Sequence, residues 1–220
     1  MKVLSVLSQK GGSGKTTLCG HIAVQAELSG GGPVAVLDTD PQESLTEWQG
    51  DRTGDTPQVV PSSLWRLQED FRRMRERGIK LLIIDTPPGI TSTIRSAISV
   101  SDTVLVPVKP SPHDLRAAGK TVGVVEALGK PLVFVMNCAS SRARITPQAV
   151  IALAQHGTVA PVIIHQRTDF ASSMIDGRTV MEVGRKSRSA GEIAELWEYL
   201  DDRLNMHLHK TSFTPLEGVA

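Results

Sequence analysis

Lys10-Gly11-Gly12-Ser13-Gly14-Lys15-Thr16-Thr17 decides the fold of this 220-residue chain. An apolar run, Val3 to Leu7, feeds into it, and a segment of helical character, Leu18 to Leu28, leaves it. Strand, glycine-rich turn, helix is the context of a phosphate-binding loop. Gly11, Gly12 and Gly14 let successive backbone N–H groups, with those of Ser13 and Thr17, curl around an anion without a Cβ in the way. The helix start adds unpaired donors and a favourable dipole. Lys15 reaches toward β- and γ-phosphates, and the Thr16 hydroxyl suits Mg²⁺.

The loop departs from the usual pattern. That pattern wants Gly five places before the Gly-Lys pair, where Gln9 stands, and a second lysine, Lys10, opens the loop instead. In this the chain resembles the ParA/MinD group of ATPases, whose loop reads K-G-G-x-G-K-T-T. The resemblance implies ATP with Mg²⁺ as cofactors and a homodimer in which Lys10 crosses to the partner's nucleotide. Ser8 stands where many relatives have Asn.

Two further motifs follow in the family's order. Val34 to Leu37 reads as a buried strand ending in Asp38-Thr39-Asp40-Pro41-Gln42. Carboxylates at the C-terminal end of a parallel strand face the crevice where ligands bind. By resemblance to D-x-D-P-Q, Asp38 belongs near the metal and Asp40 orients the attacking water. A turn with an Asx cap before a short helix is the plainer alternative. Lys80 to Ile84 is a second buried strand, closed by Asp85-Thr86-Pro87-Pro88-Gly89. Apolar residues followed by Asp form the arrangement whose carboxylate holds Mg²⁺. The resemblance puts the Gly89 N–H on the γ-phosphate; a mere helix cap is the alternative for Asp85. Asn137 ends a later strand, Leu132 to Met136. It reads either as a contact to the adenine edge or as a polar strand end.

Composition bounds what remains. Hydrophobic residues are 40% and charged residues 21%, a globular mix sufficient for one α/β domain. Net charge is +1, so any nucleic-acid contact must come from a local patch. Cys19 and Cys138 lack metal or disulfide spacing, which sets aside iron–sulfur relatives and fits a reducing compartment. No stretch reaches the roughly 18 apolar residues of a membrane span. A cytoplasmic, nucleoid-associated protein is expected.

The intervening chain alternates strands and helices, predicting an α/β P-loop fold with a mostly parallel sheet covered on both faces. Residues 50–61 read as a surface excursion. Ser63 caps a predicted helix to Arg77, with Leu64, Leu67, Phe71 and Met74 inward and its arginines mostly solvated. Thr103 to Val108 and Val159 to Ile164 are further strands, with helices near 114–128 and 147–155. Arg178, Arg185, Lys186 and Arg188 crowd a polar stretch. The resemblance implies sequence-independent DNA binding there, which needs only charge and reach; an ordinary solvated loop is the alternative. The last helix carries Ile193, Leu196, Trp197, Leu200 and Leu204 at helical spacing. Its other face holds Glu192, Glu195, Glu198, Asp201 and Asp202, which disfavours anionic lipid and hence stable membrane association.

The ATPase domain is therefore expected over 1–204, with a flexible tail over 205–220. The resemblance runs from Met1 to about Leu204 and is to the short ParA type, without an N-terminal helix-turn-helix region. It implies an ATPase that dimerises with ATP, holds DNA non-specifically and positions a plasmid, chromosome region or protein cluster. With no arginine finger in these motifs, a ParB-like adaptor would stimulate slow turnover. The competing readings are a small-molecule kinase or ligase of the same fold, and MinD-like cycling on a membrane.

Overall fold

The computed structural model describes residues 1–89 and 94–211, with side chains through 206. Seven strands form one parallel sheet: β1 (Lys2–Val6), β2 (Val34–Asp38), β3 (Gln58–Pro61), β4 (Leu81–Asp85), β5 (Thr103–Val108), β6 (Leu132–Ala139) and β7 (Thr158–His165). Their spatial order is β3-β2-β4-β1-β5-β6-β7. The helices between them are α1 (Lys15–Leu28), α2 (Ser44–Asp51), α3 (Leu67–Glu76), α4 (Ile94–Val100), α5 (Pro112–Ala127), α6 (Ile145–Ala154), α7 (Thr168–Met174), α8 (Val180–Val183) and α9 (Arg188–Thr211).

Alternate strand residues feed opposite layers, which is why the central strands are apolar throughout. Leu4, Val6, Val36, Ile83 and Val135 pack with Ile22 of α1 and with Ile193, Leu196, Trp197 and Leu200 of α9. On the reverse face, Val106, Phe134 and Met136 meet Ile98, Val122 and Leu153, while Leu37, Leu82 and Ile84 meet Leu67 and Met74 of α3.

Several boundaries differ from the sequence expectation. Within 50–61, Gln58–Pro61 is the edge strand β3, paired in register from Ala35↔Gln58 to Asp38↔Pro61. Pro57 precedes it and Pro61 is its last residue, which suits only an edge. The helix expected from Ser63 starts at Leu67, because Ser63 accepts the Arg66 N–H and closes a separate turn. Asp70 of that helix is not solvated: it is buried and accepts from the Ser62 hydroxyl at 2.5 Å. The acidic face of α9 is partly tied down as well, Asp201 by Lys2 at 2.7 Å and Glu192 by Arg167 at 2.6 Å. α9 continues past Leu204 to Thr211, so the stretch 205–211 expected in the tail is helical. The remainder of that tail, 212–220, lies outside the described residues.

Candidate functional site: the phosphate loop and its carboxylates

The C-terminal ends of β1, β2 and β4 lie side by side, with Val6 opposite Asp85 and Asp85 opposite Asp38. The phosphate loop springs from β1 directly above them. Within the loop, the Ser8 hydroxyl donates to the Lys10 carbonyl and the Ser13 hydroxyl to Ser8 Oγ, each at 2.7 Å. Ser8 thus closes the entrance of the loop with its hydroxyl. Gly14 caps α1 at φ +87°, and a Cβ there would lie 2.4 Å from Asn137 Nδ2. That amide donates to the Ser13 carbonyl at 2.7 Å, tying the end of β6 to the loop. α1 starts at Lys15, earlier than the apolar run from Leu18 suggested, so Lys15, Thr16 and Thr17 stand on its first turn with free N–H groups.

Lys15 is only 6% exposed, and its ammonium has no partner among the described residues. Asp85 is fully buried with neither carboxyl oxygen in a hydrogen bond. Burial, aided by the charges of Asp38 and Asp40, pushes the Asp85 carboxyl up to about 7, against the Thr16 hydroxyl and the Lys15 ammonium. A buried cation and a buried carboxylate, both unpaired and both facing a glycine loop, are the signature of a site built for a ligand that carries both signs. Mg²⁺ with a polyphosphate is such a ligand. Asp85 and Thr16 would hold the ion, whose chemistry is to neutralise charge on the transferring phosphoryl group.

Asp38 has a further task. Its Oδ2 accepts the Leu45 and Thr46 N–H groups and the Thr46 hydroxyl at 2.9–3.1 Å, and its Oδ1 accepts the Asp40 N–H at 3.3 Å. The carboxylate therefore fastens the start of α2, as the Asx reading held, while still facing Asp85. Thr39, missed in the sequence, zips β2 to β4 through its N–H and hydroxyl, both donating to the Asp85 carbonyl. Asp40 is half-buried, and its Oδ1 accepts the Gln42 N–H. Gly89 adopts φ +97° and its N–H donates to the Ser8 carbonyl at 3.1 Å, so in this state it is held against the loop entrance.

Lys10 behaves unlike Lys15. Its side chain is 44% exposed and turns to Asp114 at 3.8 Å. Asp114, in the first turn of α5, is also bonded to the Ser111 hydroxyl. Nothing in the sequence singles it out, since the contact spans two distant loops.

Beside Gly14 and Thr17 opens a mostly apolar cavity of about 140 Å³, lined by Leu18, Asn137, Cys138, Arg167 and Phe170. Glu192 orders its rim, accepting from the His165 N–H, His165 Nδ1 and Arg167 Nη1 at 2.6–3.0 Å. Burial works against the Glu192 charge, but these donors prevail and hold the carboxyl below its usual range. Cys19 is a buried core residue whose thiol burial pushes up.

The basic stretch is divided. Arg178 is forked onto Asp176 at 2.5–3.1 Å. Arg185, Lys186 and Arg188, around the turn between α8 and α9, have no acidic partner among the described residues. Two connections join this region to the phosphate site. His21 of α1 accepts the Val180 N–H at Nε2 and meets the Thr17 carbonyl at Nδ1. At the end of α2, Arg52 stacks on Trp48 and bonds the Gly177 carbonyl and Glu182. No helix among the described residues is long and apolar enough to cross a membrane.

The chain is similar to several known proteins. Among curated proteins, the Maintenance of carboxysome distribution protein A of Halothiobacillus neapolitanus is 27% identical over 198 residues, covering 86% of this chain and 91% of its own. The solved structure of a Cyanothece apo McdA superposes with a TM-score of 0.73 at 19% identity, over 93% of this chain and 99% of that one. The septum site-determining protein MinD of Pyrococcus horikoshii, complexed with Mg-ADP, gives 0.77 at 16% identity, over 94% and 98%. The model of the CobQ/CobB/MinD/ParA nucleotide binding domain matches residues 4–180, so the chain belongs to that family and is an ATPase of the MinD/ParA type.

Proposed function

We propose that the chain is a positioning ATPase whose ATP-bound copies pair and hold DNA. The supporting observation is the divergence of its two loop lysines. Lys15 is buried beneath its own loop, whereas Lys10 faces outward, held by one half-buried acid. An outward cation at the mouth of an anion site suits the nucleotide of a second copy. Two bound triphosphates repel each other, and a lysine lent by each copy offsets that repulsion, coupling ATP to pairing.

Pairing would double the basic turns carrying Arg185, Lys186 and Arg188, and two weak phosphate-binding patches held together grip more tightly than one. Arg178 adds less, being spent on Asp176. Water positioned near Asp40 would attack the γ-phosphate, with Asp38 and Asp85 at the metal and Gly89 released from Ser8 to the γ-phosphate. Adenine would enter the cavity beside Asn137, whose Oδ1 remains available to its amino group while Nδ2 holds Ser13. The name of the Halothiobacillus relative favours a large protein assembly as cargo, with a ParB-like adaptor stimulating hydrolysis in the cytoplasm on the nucleoid.

The test is retention on non-specific DNA with a non-hydrolysable ATP analogue. ATP-dependent, salt-sensitive retention that weakens in Arg185→Glu supports the reading. A chain that stays single and free of DNA with the analogue rejects it.

A further inference from the structure

One cation beside the loop is used by none of these roles. Lys109 follows the last residue of β5, and its Nζ lies 4.0 Å from the point a Cβ on Gly12 would occupy. Gly12 itself turns through φ +70°. The Lys109 residue is half-buried, yet among the described residues its ammonium has neither a hydrogen bond nor an ion pair. Its charge acts on Cys138, whose thiol pKa burial raises and Lys109 lowers. Burial prevails there, so that sulfur stays protonated and offers no anion. Asp114, whose charge acts on the same thiol, is already engaged by Lys10 and Ser111.

A half-buried ammonium left unpaired carries a desolvation cost that an arriving anion relieves. Here it stands against a loop whose N–H groups collect anions. A lysine also brings three rotatable donors on a flexible stem, so a short shift brings it into contact. The base cavity borders Gly14 and Thr17, further along the loop, which leaves Gly12 at the end away from the base.

We propose that Lys109 is a third lysine of the phosphate site, contacting the β- and γ-phosphates of the nucleotide bound by its own subunit. This rests on the ATP-binding role of the loop but not on DNA binding or pairing. Lys15 approaches the phosphates from beneath, Lys109 from the β5 side, and Lys10 serves the neighbouring copy.

Titration calorimetry of the full chain with ATP, ADP and AMP tests this in the unmodified protein, Lys109→Gln and Lys109→Arg. Lys109→Gln is expected to bind ATP about tenfold more weakly, within the range of a charge-assisted contact. AMP binding and the melting temperature should be unchanged, and Lys109→Arg should recover part of the loss. Unaltered ATP affinity in Lys109→Gln overturns the proposal, and so does an equal loss for ATP and AMP. A lower melting temperature with ATP affinity intact makes the lysine structural and likewise overturns it. If the unmodified chain binds no ATP, the ATP site itself is refuted and the role of Lys109 falls with it.

Discussion

The Lys10 ammonium lies 3.8 Å from the Asp114 carboxylate of its own subunit, across the mouth of the phosphate loop. If Lys10 serves a second copy, as proposed, it is held at home until that copy arrives. Half-exposed ion pairs hold weakly, about 0.2–1 kcal/mol. Asp114→Asn, which keeps an acceptor for Ser111, should move ATP-dependent pairing to protein concentrations lower by about thirtyfold at most, since two such pairs part for each dimer formed. Lys10→Ala should bind ATP but remain single. Analytical ultracentrifugation reads both, and a Lys10→Ala chain that pairs with ATP as well as the parent does removes the cross-subunit role.

Gly14 and Asn137 form a steric pair as well as a polar one. Gly14→Ala puts a Cβ 2.4 Å from Asn137 Nδ2 and forces a left-handed φ of +87° on alanine. The backbone cost alone is about 1–2 kcal/mol. Asn137→Ala removes the clash but orphans the Ser13 carbonyl, a loss of about 1–3 kcal/mol. The double variant should therefore be more stable than the sum of the single losses implies, because the clash is absent from it. Urea melts of the four proteins give that coupling, and strict additivity would show that the amide is free to move aside.

These contrasts mark what the sequence could and could not disclose. The loop, Asp38 and Asp85 were legible because each sits on a short buried strand or its immediate end, where local pattern and chemistry coincide. β3 was not, since an edge strand of four residues that ends on a proline carries no alternation to read. α2 begins on hydrogen bonds to a distant Asp38, and α4 follows directly on 90–93, so neither has a strong periodic signal of its own. The partners of Lys10 and Asn137 were hidden for a simpler reason: they lie more than a hundred residues away and meet only when β5 pairs with β1 and β6 with β5. The second job of Asp38 was visible as an Asx turn, though the sequence offered it as an alternative to ligand binding when the fold allows both.

Arg52 gives the link between nucleotide site and basic turn a measurable form. Its side chain is 4% exposed and ties the end of α2, whose start is bonded to Asp38, to Gly177 and Glu182. Arg52→Ala leaves Glu182 half-buried without its guanidinium and strips the face of Trp48. A loss of about 2 kcal/mol is expected, below the 3–5 kcal/mol of a fully buried pair because Glu182 is 27% exposed. If α2 relays the nucleotide state, ATP should no longer strengthen DNA retention in Arg52→Gln, while ATP affinity stays within about threefold, the range of uncoupled surface changes. ATP-dependent retention equal to the parent's would confine Arg52 to stability.

His21 makes one share of the fold's stability acid-labile. It is wholly buried between α1, Phe170 and the start of α8. Nδ1 meets the Thr17 carbonyl and Nε2 accepts the Val180 N–H, an arrangement that fits only the neutral ring protonated at Nδ1. Burial lowers its pKa from 6.5 to about 4, against the Thr17 carbonyl and the charges of Glu182 and Asp169, which favour the proton. Because the unfolded chain takes up a proton on this ring below about 6.5 and the folded one only near 4, the His21 contribution to stability is complete above that window and falls as pH drops through it. The contribution lost is about 2 kcal/mol by pH 5 and about 3 kcal/mol once pH falls below 4. His21→Gln, which cannot charge, should lose less stability than the parent between pH 7 and 5 in urea melts. Equal slopes in the two proteins would mean that the buried ring is protonated in the native state, and that the Val180 N–H does not face it.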